Sequence, residues 1–282
     1  MPNILTQLSD AVADIVTRNA PSIVRVDGAR RFPATGIVWS DDLVVTAGHA
    51  VRTREGITVT GDDGQPRAAT VVGGDGSTDV ALLRIEKSGL RPIPWSERKP
   101  RAGEFMIVAG RPGHSVRAGV GVASAVGGEW RTSDGSPISF FLDVDASFPD
   151  GFSGGPLLDS EGACVGMNTS RVAPGGTTIP RATLQRVVDE LLQHGAVRRP
   201  LIGVGVYPVE GGLLVMSVKE DSSAARAGIL VGDIIRRIEG NEIRSPRALY
   251  GYLQNASVGQ EVEIELTRGG EARTLRLSVG SA

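Results

Sequence analysis

Short β-rich runs separated by turn residues set the first constraint on this chain. From Ser22 onward, Ile23-Val24-Arg25-Val26, Thr35-Gly36-Ile37-Val38-Trp39 and Leu43-Val44-Val45-Thr46-Ala47 follow one another, broken by turns such as Ser40-Asp41-Asp42. Further runs lie at 57–60, 68–72, 81–85, 105–109, 121–126, 139–145, 155–158 and 163–168. Many short strands at regular spacing predict an antiparallel sandwich or barrel. The 38 glycines and 4% aromatic content suit tight turns between such strands.

Helical periodicity brackets this region. Ile4, Leu8, Ala11, Val12, Ile15 and Val16 recur at helical spacing over 4–18, and Pro21 ends the pattern. That stripe must be covered either by the chain's own body or by a neighbouring copy. Residues 183–194 carry a second stripe, Leu184, Val187, Val188, Leu191 and Leu192, with Gly195 as its stop. A linker is expected over 196–200, through Arg198-Arg199-Pro200. The pattern then restarts with strands near 201–207, 212–218 and 233–238 and a short helix near 222–227. A helix near 246–255 follows, with Ser245 as cap and Pro246 in its first turn. Strands near 261–267 and 272–279 close the chain. The expected domains are a helix over 1–20, a large β domain over 21–195 and a second domain over 201–282.

Composition excludes some classes. A net charge of −2 argues against nucleic-acid binding, which needs a basic excess. The lone cysteine, Cys164, permits no internal disulfide and no cysteine-based metal site, and its apolar setting marks it as a core residue. The first residues lack the basic start and apolar run of a leader, and no stretch approaches a membrane span. No localisation is assigned.

The chemistry concentrates in Asp150-Gly151-Phe152-Ser153-Gly154-Gly155-Pro156. Glycines around a serine allow a sharp turn that exposes the hydroxyl and aims neighbouring N–H groups at one point. A serine hydroxyl needs a histidine base, and the base needs an orienting group. Of the three histidines, His49 follows the apolar strand ending at Ala47, whereas His114 sits in a turn and His194 at a polar helix end. Asp79 opens the apolar run Val80-Ala81-Leu82-Leu83 and supplies the acid. The order His49, Asp79, Ser153 is one of the known triad orders.

Residues 45–50, 78–85 and 145–158 resemble the three catalytic segments of a trypsin-like serine protease. With the domain that follows, the chain resembles the HtrA (DegP-like) family from about Pro21 to Val279. The resemblance implies a mainly β fold of two six-stranded antiparallel barrels, plus a smaller α/β PDZ domain. It implies His49 as general base, Asp79 as its orienting acid, Ser153 as nucleophile and the N–H groups of Gly151 and Ser153 as oxyanion hole. No metal or cofactor is called for. The implied activity is ATP-independent cleavage of unfolded polypeptides by a homotrimer, in which Leu8, Ala11, Val12 and Ile15 offer a contact stripe. Such families are usually exported. An S1 pocket is expected from Phe148 and Thr169 to Arg171. Ser147 at its base places no buried charge there, so cleavage after small or medium apolar residues is expected.

Two departures stand out. Phe152 replaces the family's usual asparagine, and the loop from Asp27 to Ala34 is short. Leu201-Ile202-Gly203-Val204 resembles a PDZ carboxylate-binding loop, which would capture peptide C-termini. Leu249 and Leu253 share a helix face, either lining its groove or filling the core. Two other readings compete. One is an α/β-hydrolase built on Gly-x-Ser-x-Gly, disfavoured because a β-like run, not a helix, follows Ser153. The other is an inactive protease-like scaffold acting through its second domain.

Overall fold

The structure, a computed structural model, describes residues 3–28, 33–51, 55–86, 89–132, 135–197 and 200–281. It divides into two units, residues 1–197 and 198–282. Of the expected linker, Ala196 and Val197 belong to the first unit, Pro200 enters a strand of the second, and Arg198 and Arg199 lie outside the described residues. Most of the short loop after Asp27 also lies outside them.

The first unit opens with helix α1 (Ile4–Asn19), capped by the Asn3 side chain, which accepts the Thr6 N–H. Its two halves differ. Ile15 is buried, Val12 and Val16 pack beside it, and Asn19 donates to the carbonyls of Ile15 and Gly162. Ile4 and Leu5, by contrast, are 79% and 72% exposed. The C-terminal half of the stripe is thus covered by the chain's own body and the N-terminal half is not.

Strands β1 (Ile23–Asp27), β2 (Ala34–Ser40), β3 (Leu43–Ala47), β4 (Ile57–Thr60), β5 (Pro66–Asp75) and β6 (Val80–Ile85) close into a barrel in the order β1-β2-β3-β6-β5-β4. Both faces of β3 are buried, with Val44 inside the barrel and Val45 in the core beyond it. This is why its sequence, Leu43 to Ala47, lacks the apolar–polar alternation of a half-exposed strand, with Thr46 its one polar side chain. Strands β7 (Phe105–Gly110) and β8 (Arg117–Val126) begin the second sheet. A small hairpin, β9 (Trp130–Arg131) with β10 (Pro137–Ile138), follows. Strands β11 (Leu142–Asp145), β12 (Pro156–Leu158), β13 (Cys164–Thr169) and β14 (Thr177–Pro180) complete a six-stranded sheet in the order β11-β8-β7-β12-β13-β14. Its edges curl towards each other, and the Thr177 hydroxyl reaches the Leu142 carbonyl at 3.5 Å. Helix α2 (Arg181–His194) then packs Leu184, Val187, Val188 and Leu191 into a core shared with Val45, Leu82, Ile107 and Met167.

Several elements depart from the sequence reading, among them the unexpected β9–β10 hairpin. The expected strand over 139–145 starts only at Leu142, because the Ser139 N–H donates to the Thr183 hydroxyl. Strand β8 starts four residues before the expected 121, since pairing with β7, not its own Gly- and Ala-rich pattern, defines it. The short β14 has too few residues to show a period.

In the second unit, β15 (Pro200–Leu201) pairs with β22 (Gly280–Ser281). The main sheet holds β16 (Val204–Val209), β17 (Gly212–Val218), β18 (Ile234–Ile238), β20 (Glu261–Arg268) and β21 (Glu271–Ser278), in that order, with β19 (Asn241–Glu242) beside β18. Helices α3 (Ser223–Arg226) and α4 (Pro246–Asn255) complete it. The buried Asp233 carboxylate accepts two bonds of 2.7 Å from Arg268 and the Leu230 N–H at 2.9 Å. The Arg268 guanidinium, first among these, holds that carboxyl below the usual range. Among the described residues, no helix is long and apolar enough to cross a membrane.

Candidate active site and peptide groove

Pairing of β3 with β6 sets Ala47 opposite Val80. The residues just beyond, His49 on a short 3₁₀ turn and Asp79 in the turn before β6, therefore fall side by side. The Gly48 N–H donates to the Asp79 carbonyl at 2.8 Å and locks the two turns together. His49 Nδ1 lies 2.6 Å from Asp79 Oδ2, and the His49 N–H donates to Asp79 Oδ1 at 2.7 Å. A third donor, the Thr169 hydroxyl on β13, reaches Asp79 Oδ2 at 2.5 Å. With Asp79 accepting from Nδ1, the His49 tautomer leaves Nε2 free to accept a proton. Asp79 has φ +55°, a left-handed backbone uncommon for a residue with a side chain and tolerated mainly by Asp and Asn.

Ser153 comes from the second sheet. Its loop is wedged between β13 and β2: the Gly154 N–H donates to the Asn168 carbonyl, and the Thr35 N–H donates to the Ser153 carbonyl at 3.1 Å. Gly154 has φ +89°, and a Cβ there would stand 2.0 Å from the Thr35 carbonyl oxygen, so only glycine fits. The Gly151 carbonyl accepts from the Thr35 hydroxyl and the Phe152 N–H donates to Pro149. Among the described residues, the N–H groups of Gly151 and Ser153 have no acceptor. The Ser153 hydroxyl lies 3.3 Å from that of Ser170 and makes no hydrogen bond to His49. Both residues nevertheless line one cleft of about 350 Å³, with Pro33, Ala34, Phe148, Gly151 and Arg171.

Of the expected S1 residues, Phe148 and Arg171 line this cleft, whereas Thr169 is buried beneath it with its hydroxyl on Asp79. Ser147 is exposed and off the cleft wall. Cys164 is fully buried, and burial pushes its thiol well above the usual range, so it remains a neutral core residue.

The second unit carries its own groove of about 400 Å³. Leu201, Ile202, Gly203, Val204, Leu249 and Leu253 all line it, beside the free edge of β16. Leu249 and Leu253 are nearly fully buried as well, so they serve groove and core together. The carbonyls of Ile202 and Gly203 accept from Ala224 and Lys219, and among the described residues the N–H groups of Ile202 and Gly203 have no acceptor. Gly203 has φ +83°, and a Cβ would stand 2.3 Å from the Ser222 Cβ.

Residues 34–167 match the family model of the trypsin-like peptidase domain, and residues 200–279 match that of the PDZ domain. A probable periplasmic DegP-like serine endoprotease of Brucella suis is 31% identical over 272 residues, which are 88% of this chain and 52% of that protein. The crystal structure of a serine endoprotease from Yersinia pestis matches with TM-score 0.74 and 30% identity, covering 96% of this chain and 98% of that one. The chain belongs to the HtrA (DegP-like) family. A structure of the HtrA-type protease AlgW with a tripeptide also matches, with TM-score 0.68, 27% identity and coverage of 96% and 97%. The chain spans about half the length of the first curated relatives it matches.

Within this fold Phe152 has a definite place. Its ring is 3% exposed and packs in the second core with Met106, Val108 and Leu157. The serine loop is anchored there by apolar burial where HtrA proteins usually carry an asparagine. Sequence reasoning missed Thr35, Thr169 as a partner of Asp79, and the contact of Ser170 with the Ser153 hydroxyl, because each acts through a partner distant in the chain.

The packing around Gly154 yields a prediction. Gly154→Ala should lower the melting temperature by several degrees, following a cost of about 1–3 kcal/mol for strain at such a site. Gly113→Ala, where a Cβ meets nothing within 4 Å, should not. Differential scanning fluorimetry of the two variants checks this, and equal melting would contradict the wedge at Gly154.

Proposed function

We propose that the chain is an ATP-independent serine endopeptidase acting on unfolded polypeptides, with His49, Asp79 and Ser153 as its triad. The observation that carries this reading is His49, paired with Asp79, on the same cleft as Ser153, where the N–H groups of Gly151 and Ser153 have no acceptor among the described residues. The chemistry uses groups of this chain alone. In this mechanism the Ser153 hydroxyl exchanges its contact with Ser170 for one with His49 Nε2, across the cleft that both residues line. Ser153 Oγ attacks a peptide carbonyl carbon while Nε2 takes its proton. The carbonyl oxygen becomes an oxyanion held by the N–H groups of Gly151 and Ser153. Asp79 stabilises the imidazolium, which returns the proton to the leaving amine as the C–N bond breaks. Water then repeats the sequence on the acyl-enzyme and frees Ser153.

Specificity is set on the cleft wall. The Phe148 ring sits beside Gly176, where a Cβ would be 3.4 Å from it, and narrows the pocket with an apolar surface. This favours small or medium apolar side chains before the scissile bond. Arg171 borders the same cleft and suits an acidic side chain elsewhere along the substrate. In the second unit, the Ile202 and Gly203 N–H groups capture a peptide's terminal carboxylate, β16 pairs with its backbone, and Leu249 and Leu253 receive its last side chain. The related AlgW protease was solved with a tripeptide, which supports peptide binding by this architecture. Of the expected contact stripe, Ile15 is buried in the chain's own core with Val12 packed against it, whereas Leu8 is exposed beside Ile4 and Leu5; this apolar end supports self-association, for which the homotrimer is the proposed form.

Ser153→Ala should leave folding intact and abolish casein cleavage, and His49→Ala and Asp79→Asn should each lower the rate by about three orders of magnitude or more. Products of the wild-type chain, sequenced by mass spectrometry, should end mostly in small or medium apolar residues. Undiminished cleavage by Ser153→Ala would overturn the triad, and ends dominated by Lys and Arg would overturn the pocket. For the groove, the full-length Ser153→Ala chain should bind a peptide ending in Val as a free acid with Kd on the order of micromolar. The C-terminal amide should bind at least about tenfold more weakly. Equal affinity in calorimetry would remove the carboxylate loop from the account.

A further inference from the structure

Thr35 on β2 is fully buried and makes no contact with the cleft itself, yet its polar groups converge on the serine loop. Its N–H donates to the Ser153 carbonyl at 3.1 Å, and its carbonyl accepts the Thr46 hydroxyl at 2.6 Å. Its own hydroxyl lies between the Arg111 N–H, 2.8 Å away, and the Gly151 carbonyl, 2.6 Å away. An amide N–H can only donate, so the hydroxyl accepts from Arg111 and its single proton is directed at Gly151.

That carbonyl belongs to the peptide joining Gly151 to Phe152, whose N–H donates to the Pro149 carbonyl at 3.1 Å. A peptide is a rigid plane, so bonds at both ends fix its rotation. The N–H groups of Gly151 and Ser153 belong to the peptides on either side, joined to this plane at the Cα atoms of Gly151 and Phe152, so a fixed plane limits the directions they can take. The Arg111 end of the relay is equally fixed. Its buried guanidinium donates to the carbonyls of Ile23, Ala20 and His114 and to Asp62.

We infer that the Thr35 hydroxyl is the positioning residue of the oxyanion hole: it holds the 151–152 peptide so that the Gly151 and Ser153 N–H groups point into the cleft. Thr35 never touches substrate. This inference rests on the proposed triad and deepens it. Valine has nearly the same shape as threonine but leaves the Gly151 carbonyl and the Arg111 N–H unpaired together. Serine keeps the hydroxyl and loses only the methyl that packs beside Gly155.

The test is steady-state cleavage of a chromogenic peptide by the full chain, together with inhibition by a peptide boronate, whose boron-bound oxygen occupies an oxyanion hole. Thr35→Val should lower kcat about 10- to 100-fold with KM changed less than about threefold, and should weaken the boronate by a factor similar to that in kcat/KM. Thr35→Ser should stay within about threefold of wild type on every measure. Wild-type kcat in Thr35→Val, an equal fall in Thr35→Ser, or a fall in kcat with unchanged boronate affinity would each overturn the inference. If Thr35→Val does not fold, as judged by its melting curve, Thr35→Ala against Thr35→Ser makes the same comparison. Ser153→Ala in the same assay separates the two levels: turnover by it overturns the triad and this inference with it. An inactive Ser153→Ala beside a fully active Thr35→Val overturns the role of Thr35 alone.

Discussion

The antiparallel pairing of β3 with β6 is the constraint on which the site depends. Because Ala47 faces Val80, the chain leaving one strand and the chain entering the other meet at one point, and His49 and Asp79 occupy it. A slip of one residue would part Ala47 from Val80 and break the Gly48 bond to the Asp79 carbonyl. Strand pairing thereby fixes the distance between an acid and a base. The positive φ of Asp79 is the local cost, offset by donors from His49 and Thr169 on its carboxylate and from Gly48 on its carbonyl.

Ser153 reaches that pair from a different sheet, so its placement is a question of how the serine loop seats on the first barrel. The close approach of Gly154 to the Thr35 carbonyl and the burial of Phe152 both hold the loop in place. The groove of the second unit repeats the same device on a smaller scale. There a glycine without room for a side chain, Gly203, lets a loop turn its N–H groups outward while its carbonyls stay bonded inside.

Sequence alone made much of this legible, for reasons that differ by element. His49, Asp79 and Ser153 each sit in a local pattern whose residue types announce a role, and Leu201 to Val204 do the same for the groove. The β-branched, fully buried β3 and the capped helix at 246–255 also carry local signals. Thr35 and Thr169 carry none, since their roles are hydrogen bonds to residues 116 and 90 positions away. Thr169 reads as a pocket wall from its place after Ser153, and only the fold turns its hydroxyl beneath the cleft. The β9–β10 hairpin and β14 were hidden for another reason: segments of two to four residues have no period to read.

The central claim is that this geometry makes one serine reactive among many. Labelling the folded chain with a fluorophosphonate and mapping the adduct by peptide mass spectrometry tests it directly. The account predicts a single adduct on Ser153, lost in His49→Ala. An adduct on another serine, or none in folded wild-type protein, would contradict it.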